Sequence, residues 1–530
     1  MFIHISASFL ILMVYKNKGE KNMDFTLTPE PVYFAEDALN VSREQPVDLD
    51  FTLPDYCADV EKIFKCTVTP EVYSTNSGGG QLTVEGASLI RVLYCSVDKK
   101  TLKCAEQTLP FSASFNLSSD SSDLITSVKA KTEYVNCKAV SPRRLMIHGC
   151  ITLNVKVSEK KSSNLYLPPE CKELQTDLRK TKVSELMSLQ SEVFAVAESI
   201  SVNSKHPVCT VIRSEVKTVL NDVSAVGNRM LLKGELTLCM LYCTEHTSEL
   251  PEQFTYVCPF VHNMECPDAQ DSMIREIDLN LMSHDIKLKT DITGDNPLVV
   301  LEAKLCASVA CRKETEVTYI SDAYSTACET ELEYAPVTLE TSVLPKVTTL
   351  MNKSSVDLGE NKISRVIDIF CDNVSIKPYV SDKLKLSGKA NFCILALDEN
   401  SELTYIERSV EIDNTESLND TFTSCDNVTS MIKSVSYRIA DNNNMELRVE
   451  LLILTKLIKT ENIQAVMSVS DCGEPENGDS CALTLYFADE GESVWNIAKR
   501  YRTDKMALCI ENNLSEKDLT DKMLLLIPKV

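Results

Sequence analysis

LTVEGASLIRVLYC (Leu82–Cys95), MLLKGELTLCMLYC (Met230–Cys243) and LKLSGKANFCILAL (Leu384–Leu397) share one pattern. Their central glycines, Gly86, Gly234 and Gly388, lie 148 and 154 residues apart. Two and four residues before each glycine the chain is apolar: Val84 and Leu82, Leu232 and Met230, Leu386 and Leu384. Eighteen residues before, it is Val68, Val216 and Phe370. The alternation has period two, so these segments read as half-buried strands. A glycine inside a strand marks a bulge, a bend or a close backbone approach. Self-similarity at this period predicts repeated structural units.

Each repeat has a second half of strand, polar turn, strand. VKAKTEYVNCKAV is followed by Ser141-Pro142-Arg143-Arg144 and LMIHGCITLNVKV. IKLKTDIT is followed by Gly294-Asp295-Asn296-Pro297 and LVVLEAKLCASVA. MIKSVSYRIA is followed by Asp441-Asn442-Asn443-Asn444 and MELRVELLILTKLI. Such residues tolerate tight turns. The fold class expected is mainly β: three tandem all-β units, sandwich- or barrel-like, plus a small C-terminal βααβ module. Helical periodicity is weak and strongest at Val183–Ser191, which reads as a connector. The expected division is an extension over 1–22, β units over 23–160, 161–315 and 316–469, a polar linker over 470–482 and a terminal module over 483–530.

Lys and Arg total 54 against 77 Asp and Glu, a net charge of −23. Nucleic-acid phosphates and anionic membranes both attract basic surfaces, so neither is an expected partner. The 21 cysteines are odd in number and contain no CxxC pair. Many sit in apolar strands, which reads as small buried hydrophobes in a reducing cytoplasm. Phe2–Tyr15 is an apolar run with its lysines after it rather than before, unlike a signal peptide. It is also shorter than the ~20 residues that span a bilayer. It reads as a non-native or dispensable extension ahead of Met23, with a weak membrane anchor as the other reading.

From Leu483 the sequence reads strand, helix, helix, strand. Ser493 is placed to cap a first helix running to about Tyr501, with Val494, Ile497 and Ala498 on its apolar stripe and Trp495 at the edge of that stripe. Thr503 or Asp504 caps a second helix. Leu525 and Ile527 face inward by alternation, which leaves Leu524 and Leu526 outward. The polar linker predicts few contacts between this module and the rest, and Trp495 reads as a residue whose loss unfolds it.

The ordered elements Gly-acid-Ser, Trp-x-Ile-Ala-x-x-Tyr, Asn-Asn-Leu and Leu-x-Ile-Pro closely resemble a LysM module. The resemblance implies binding of N-acetylglucosamine polymers such as peptidoglycan. It places a groove at Gly491, Glu492, Ser493 and Val494, then Asn513, Leu514 and Ser515, with Ile527. Glu492 stands where aspartate is usual, Lys522 where glycine is common, and Met523 and Leu524 where polar residues are usual. An apolar Leu524 edge suits a protein partner better than a hydrated glycan, unless Leu524 covers its own core.

Leu53-Pro-Asp-Tyr-Cys-Ala-Asp-Val-Glu-Lys-Ile-Phe-Lys-Cys66, followed by the Gly86 strand, resembles the SPOCS (DUF3794) domain of sporulation proteins. Val208–Val216 is a weaker copy. Such repeats followed by one LysM are the layout of SipL-type spore-coat morphogenetic proteins. The resemblance implies a non-enzymatic scaffold in the mother-cell cytoplasm, with the LysM binding a coat-basement ATPase of the SpoIVA type. The alternative is a peptidoglycan-binding wall or cortex protein.

The six histidines are scattered, and no HExxH, phosphate loop or GxSxG elbow occurs. No catalytic residue, metal ligand or cofactor is expected. Gly78-Gly79-Gly80 reads as a loop between strands. Asp55 and Asp59 flank Cys57 without a nearby histidine, so this segment reads as a structural entry into the repeat.

Overall fold

The computed structural model describes residues 25–97, 101–119, 124–202, 206, 208–244, 250–267, 269–270, 272–290, 297–359, 362–440, 444–473, 483–514 and 519–528. The expected extension and most of the expected linker therefore lie outside the described residues. So do turn residues 294–296 and 441–443.

The chain is almost wholly β. A first group comprises β1 (Thr28–Thr52), β2 (Lys62–Gly78), β3 (Gln81–Cys95), β4 (Leu102–Asn116), β5 (Ile125–Ser141) and β6 (Arg144–Leu167). A second holds β7 (Leu174–Ser201), β8 (Val208–Val226), β9 (Arg229–Thr244), β10 (Glu252–Glu265), β11 (Ile274–Thr290) and β12 (Pro297–Ser325). A third holds β13 (Thr330–Asp357), β14 (Ile363–Val380), β15 (Lys383–Asp398), β16 (Leu403–Ser417), β17 (Ser424–Ile439) and β18 (Asn444–Asp471). The chain ends with β19 (Thr484–Ala488), α1 (Val494–Tyr501), α2 (Lys505–Glu511) and β20 (Met523–Ile527).

One topology recurs. The first strand of each six pairs with the last, which pairs with the fifth, giving sheets β1-β6-β5, β7-β12-β11 and β13-β18-β17. The middle three strands form meanders β2-β3-β4, β8-β9-β10 and β14-β15-β16. The two sheets pack face to face. In the first group Leu82, Val84, Ile90 and Val92 of β3 share a core with Leu145, Ile147, Ile151 and Leu153 of β6.

The three recurring glycine strands are the central strands of the meanders. A Cβ at Gly86 would lie 2.1 Å from the Glu71 carbonyl oxygen and 2.6 Å from the Phe111 ring. At Gly234 it would lie 2.5 Å from both the Val219 oxygen and the Phe260 ring, and at Gly388 2.0 Å from the Ser375 oxygen. The first two glycines sit beside register shifts at Val72/Ser74 and Leu220/Asp222. A bulge there presses the neighbouring backbone onto the glycine, and an aromatic from the other neighbour covers it. Gly234→Val should therefore lower stability by at least ~1–3 kcal/mol, read from the urea midpoint, because a backbone oxygen cannot yield space.

The long strands belong to more than their own sandwiches. Val32, Leu165, Val183, Val317, Tyr319, Val337, Leu339, Ile463 and Ala465 form one cluster drawn from β1, β6, β7, β12, β13 and β18. A second shared cluster joins the meanders through Phe64, Ile212 and Ile367 and through Leu93, Leu241 and Leu395, which are equivalent positions of the three groups. Lys129 of β5 reaches Asp278 of β11 at 3.1 Å and Thr429 of β17 at 3.0 Å. The three groups are thus cemented to one another through common cores.

Val183–Ser191 is not a helical connector but part of β7, paired with β12. A register shift pairs Ser188 with Cys311 but Leu186 with Arg312. The inserted residue breaks the period-two pattern, and the resulting spacing imitates a helical stripe. β6 and β12 run unbroken through residues 160 and 315. The start of the expected linker is also ordered, since Cys472 N–H donates to Glu329 and Glu329 N–H to Gly473. Gly79 and Gly80 take φ values of +59° and +73°, which makes the β2–β3 connection a tight hairpin turn.

Candidate partner-binding site in the C-terminal unit

The terminal unit encloses a small core of Ala488, Val494, Ile497, Ala498, Leu508, Cys509, Leu519, Leu525 and Ile527. The expected alternation in the last strand holds for Leu525 and Ile527, which are buried, and for Leu524, which is 58% exposed. Leu526 is half-buried. In the β19–β20 pair Phe487 lies opposite Leu524 and Leu485 opposite Leu526. Directly opposed side chains share a face. Leu485, Phe487 and Leu524 thus form an apolar outer face, and Leu483 just before β19 is exposed as well, each of the four by 55–65%. Sequence reasoning found Leu524 but missed Leu485 and Phe487. The signal was present in Leu-Thr-Leu-Tyr-Phe, whose apolar set looks inward-facing until Tyr486 is seen to take that side.

The other expected site residues do several jobs. Gly491 has φ +80°, a conformation that favours glycine, and its N–H donates to Leu519 O at 2.8 Å. The Leu519 N–H returns a bond to Glu492 O at 3.0 Å, which ties the loop after α2 to the first turn. The Glu492 carboxylate accepts from Tyr486 Oη at 2.8 Å and lies 3.5 Å from Arg500, so it braces the turn. Ser493 occupies the N-cap position, but its side chain makes no capping bond, contrary to expectation. Its φ and ψ of −76° and 128° are extended, and only its carbonyl enters the helix, accepting from Ile497 N–H. Asp504 does cap α2, accepting from Ala507 N–H at 2.7 Å.

Val494 and Ile527 turn their side chains into the core, so neither offers one to a groove ligand. Asn513 is exposed with φ +55°, and Leu514 is half-buried against the core. Ser515 lies outside the described residues. Asn512, which opens the Asn-Asn-Leu element but was not among the expected groove residues, clamps the fold. Its side chain donates to Leu508 O and Leu526 O at 2.9 and 2.7 Å and accepts from Leu526 N–H at 2.6 Å.

The unit is docked on the long strands, which corrects the expectation of few contacts. Asp322 of β12 accepts from Trp495 Nε1 at 2.8 Å, from Lys499 Nζ at 2.6 Å and from Tyr334 Oη at 3.0 Å. The Tyr324 ring meets Trp495 edge-on at 5.0 Å, and its hydroxyl donates to Thr503 O at 2.8 Å. Gln175 donates to Asp504 at 3.0 Å, and Arg502 pairs with Glu329. Trp495 is therefore a half-buried residue that packs on the edge of the unit's core and also docks it on β12. Burial raises the Asp322 carboxyl, but the bonds from Lys499, Trp495 and Tyr334 outweigh it and hold the group below its ordinary value.

An open cleft of about 440 Å³ lies along this junction, lined by Asp177, Arg179, Glu461 and Trp495 among others. Its polar groups largely satisfy one another: Ser321 donates to Asp177, Arg179 pairs with Asp177, and Thr181 donates to Glu461. The outer sheet face is the stronger candidate, because its apolar groups remain in water. Elsewhere, Arg143 gathers the Asp55–Asp59 segment by donating to Cys57 O, Leu53 O, Pro54 O and Asp59 at 2.7–3.3 Å. That wrapped loop leads directly into β2.

Residues 59–140 match the family model described as SipL, SPOCS domain. The match runs from the end of the Arg143-bound loop through β2, β3 and β4 and nearly all of β5. Over these residues the chain is similar to that domain. No curated protein and no solved structure matches the chain. Among the described residues no helix is long and apolar enough to cross a membrane, and no group of three or more His, Cys, Asp or Glu is placed to hold a metal ion.

Proposed function

We propose that this chain is a non-enzymatic scaffold in spore-coat assembly. The β groups form its body. The C-terminal unit, a LysM-like module, binds a coat-basement ATPase of the SpoIVA type, and the chain works in the mother-cell cytoplasm at the forespore surface. The SPOCS match supports the link to sporulation. The observation that carries the binding role is the outer face of β19 and β20, where Leu485, Phe487 and Leu524 are all exposed. Desolvated apolar centres dominate protein–protein affinity, whereas a hydrated glycan gains little from a flat aliphatic surface. Glu492, the acid of the expected glycan groove, is already engaged by Tyr486 and Arg500.

Leu524→Lys tests this reading. Partner capture by the full chain should fall at least tenfold, while the melting temperature changes little because the side chain is outside the core. Unchanged capture, or micromolar sedimentation of the wild-type chain with peptidoglycan, would favour the wall-binding alternative.

A further inference from the structure

Every described cysteine is a thiol, and only Cys209 and Cys472 are exposed. Two of the buried ones are unusually placed. Cys266 and Cys311 hold their Sγ atoms 3.5 Å apart, although they are 45 residues apart in sequence. Cys311 belongs to β12, in one sheet of the second group. Cys266 follows the end of β10, in the other sheet. The pair therefore lies across the sandwich. Met230, Leu232, Met264, Met273 and Val309 wall it off from water. Ser188 of β7 brings its hydroxyl to 3.4 Å from Cys266 Sγ. Two sulfurs and one hydroxyl in an apolar wall do not make a zinc site, which needs about four ligands.

We propose that Cys266 and Cys311 are a site of reversible disulfide formation, which staples the two sheets of the second group when a small peroxide reaches the chain. Closing the gap to the ~2.05 Å of a disulfide needs only a short approach of two sulfurs already in contact. The oxidant must be small, because both side chains are buried and a bulky disulfide cannot reach them. In the first step one thiol loses its proton, and the thiolate sulfur attacks a peroxide oxygen. The O–O bond breaks, the departing hydroxide takes up the proton as water, and a sulfenic acid remains. In the second step the other sulfur attacks the sulfenic sulfur, the S–O bond breaks and a second water leaves. The two thiols lose two electrons in total, and hydrogen peroxide accepts them. A dithiol reverses the bond by exchange. The contact with Cys266, and then burial, push the Cys311 thiol up. The first step is therefore slow compared with oxidation at an exposed cysteine.

The test uses the full chain treated with hydrogen peroxide. Remaining thiols are then alkylated, and the digest is mapped by mass spectrometry. The expected result is a peptide linking Cys266 to Cys311, which disappears on treatment with dithiothreitol. The oxidised chain should melt several degrees higher than the reduced one, since a cross-link constrains the unfolded state. Neither change should occur in Cys311→Ala or Cys266→Ala. The wild-type peptide map stands alone should either variant misfold. Recovery of both cysteines as alkylated thiols or as separate sulfinic acids would overturn the proposal. So would a map in which Cys266 links mainly to other cysteines.

Discussion

Replacing Arg312 with methionine should destabilise the chain by about 3–5 kcal/mol, because it strips the cation from a largely buried ion network. Arg312 is fully buried. It donates to Glu276 of β11, to Glu340 of β13 at 2.6 Å and to Ser184 O at 3.1 Å. Lys456 of β18 also reaches Glu276, at 2.7 Å. The network thus joins the second and third groups. Lys456 still compensates Glu276 in the variant, but Glu340 is left beside an apolar side chain. Urea unfolding monitored by circular dichroism checks the value. Adding Glu340→Leu should restore part of the loss, because an apolar pair of similar volume is often as stable as a buried ion pair. A loss below about 1 kcal/mol would place this junction among exposed salt bridges of little consequence.

Asp322→Ala should release the C-terminal unit without unfolding it. The carboxylate is contacted by Trp495, Lys499 and Tyr334 together. Hydrogen bonds to a charged group contribute about 1.5–3 kcal/mol each and do not simply add, so undocking by ~3 kcal/mol is expected. Trp495 is the only tryptophan in the chain, so its fluorescence reports this junction alone. The variant should show red-shifted emission and lower anisotropy, with the far-ultraviolet dichroism preserved. The same junction should respond to acid. A carboxyl held below its ordinary value stabilises the docked state above that value, near ~4, and loses its contribution as the pH falls through the lowered one. The red shift should therefore appear in the wild-type chain below about pH 4 and be absent near neutrality. Trp495→Ala should undock the unit in the same way, which protease sensitivity would read out. Emission from Asp322→Ala identical to wild type would mean that the contacts of Tyr324, Gln175 and Arg502 hold the unit without Asp322.

Much of the β architecture was legible in the sequence because period-two alternation and a crowded glycine leave local marks. Gly86, Gly234 and Gly388 identified the central meander strands, since only a residue without a Cβ fits under Phe111 or Phe260. The bulge in β7 was illegible because one extra residue changes the apparent period, and Val183–Ser191 then imitates a helix. The shared cores were also hidden. Val32, Val183 and Val337 look like ordinary strand residues, and nothing local says that three separate sheets meet there. In the terminal unit the helices and the inward side of β20 were readable. Ser493 was misjudged because an N-cap position does not guarantee a side-chain bond. The role of Trp495 depends on Asp322, 173 residues away in the sequence, so no local pattern could reveal it.

The central claim is that the outer face of β19 and β20 receives a protein partner. The most direct test places a photoreactive phenylalanine analogue at Leu485 in one version of the full chain and at Asn513 in another. Both positions are exposed, the first on the sheet face and the second in the expected glycan groove. Irradiation with the SpoIVA-type ATPase and peptidoglycan fragments present together should give an ATPase adduct from position 485 and little from 513. A glycan adduct at position 513, with no ATPase adduct at 485, would contradict the account.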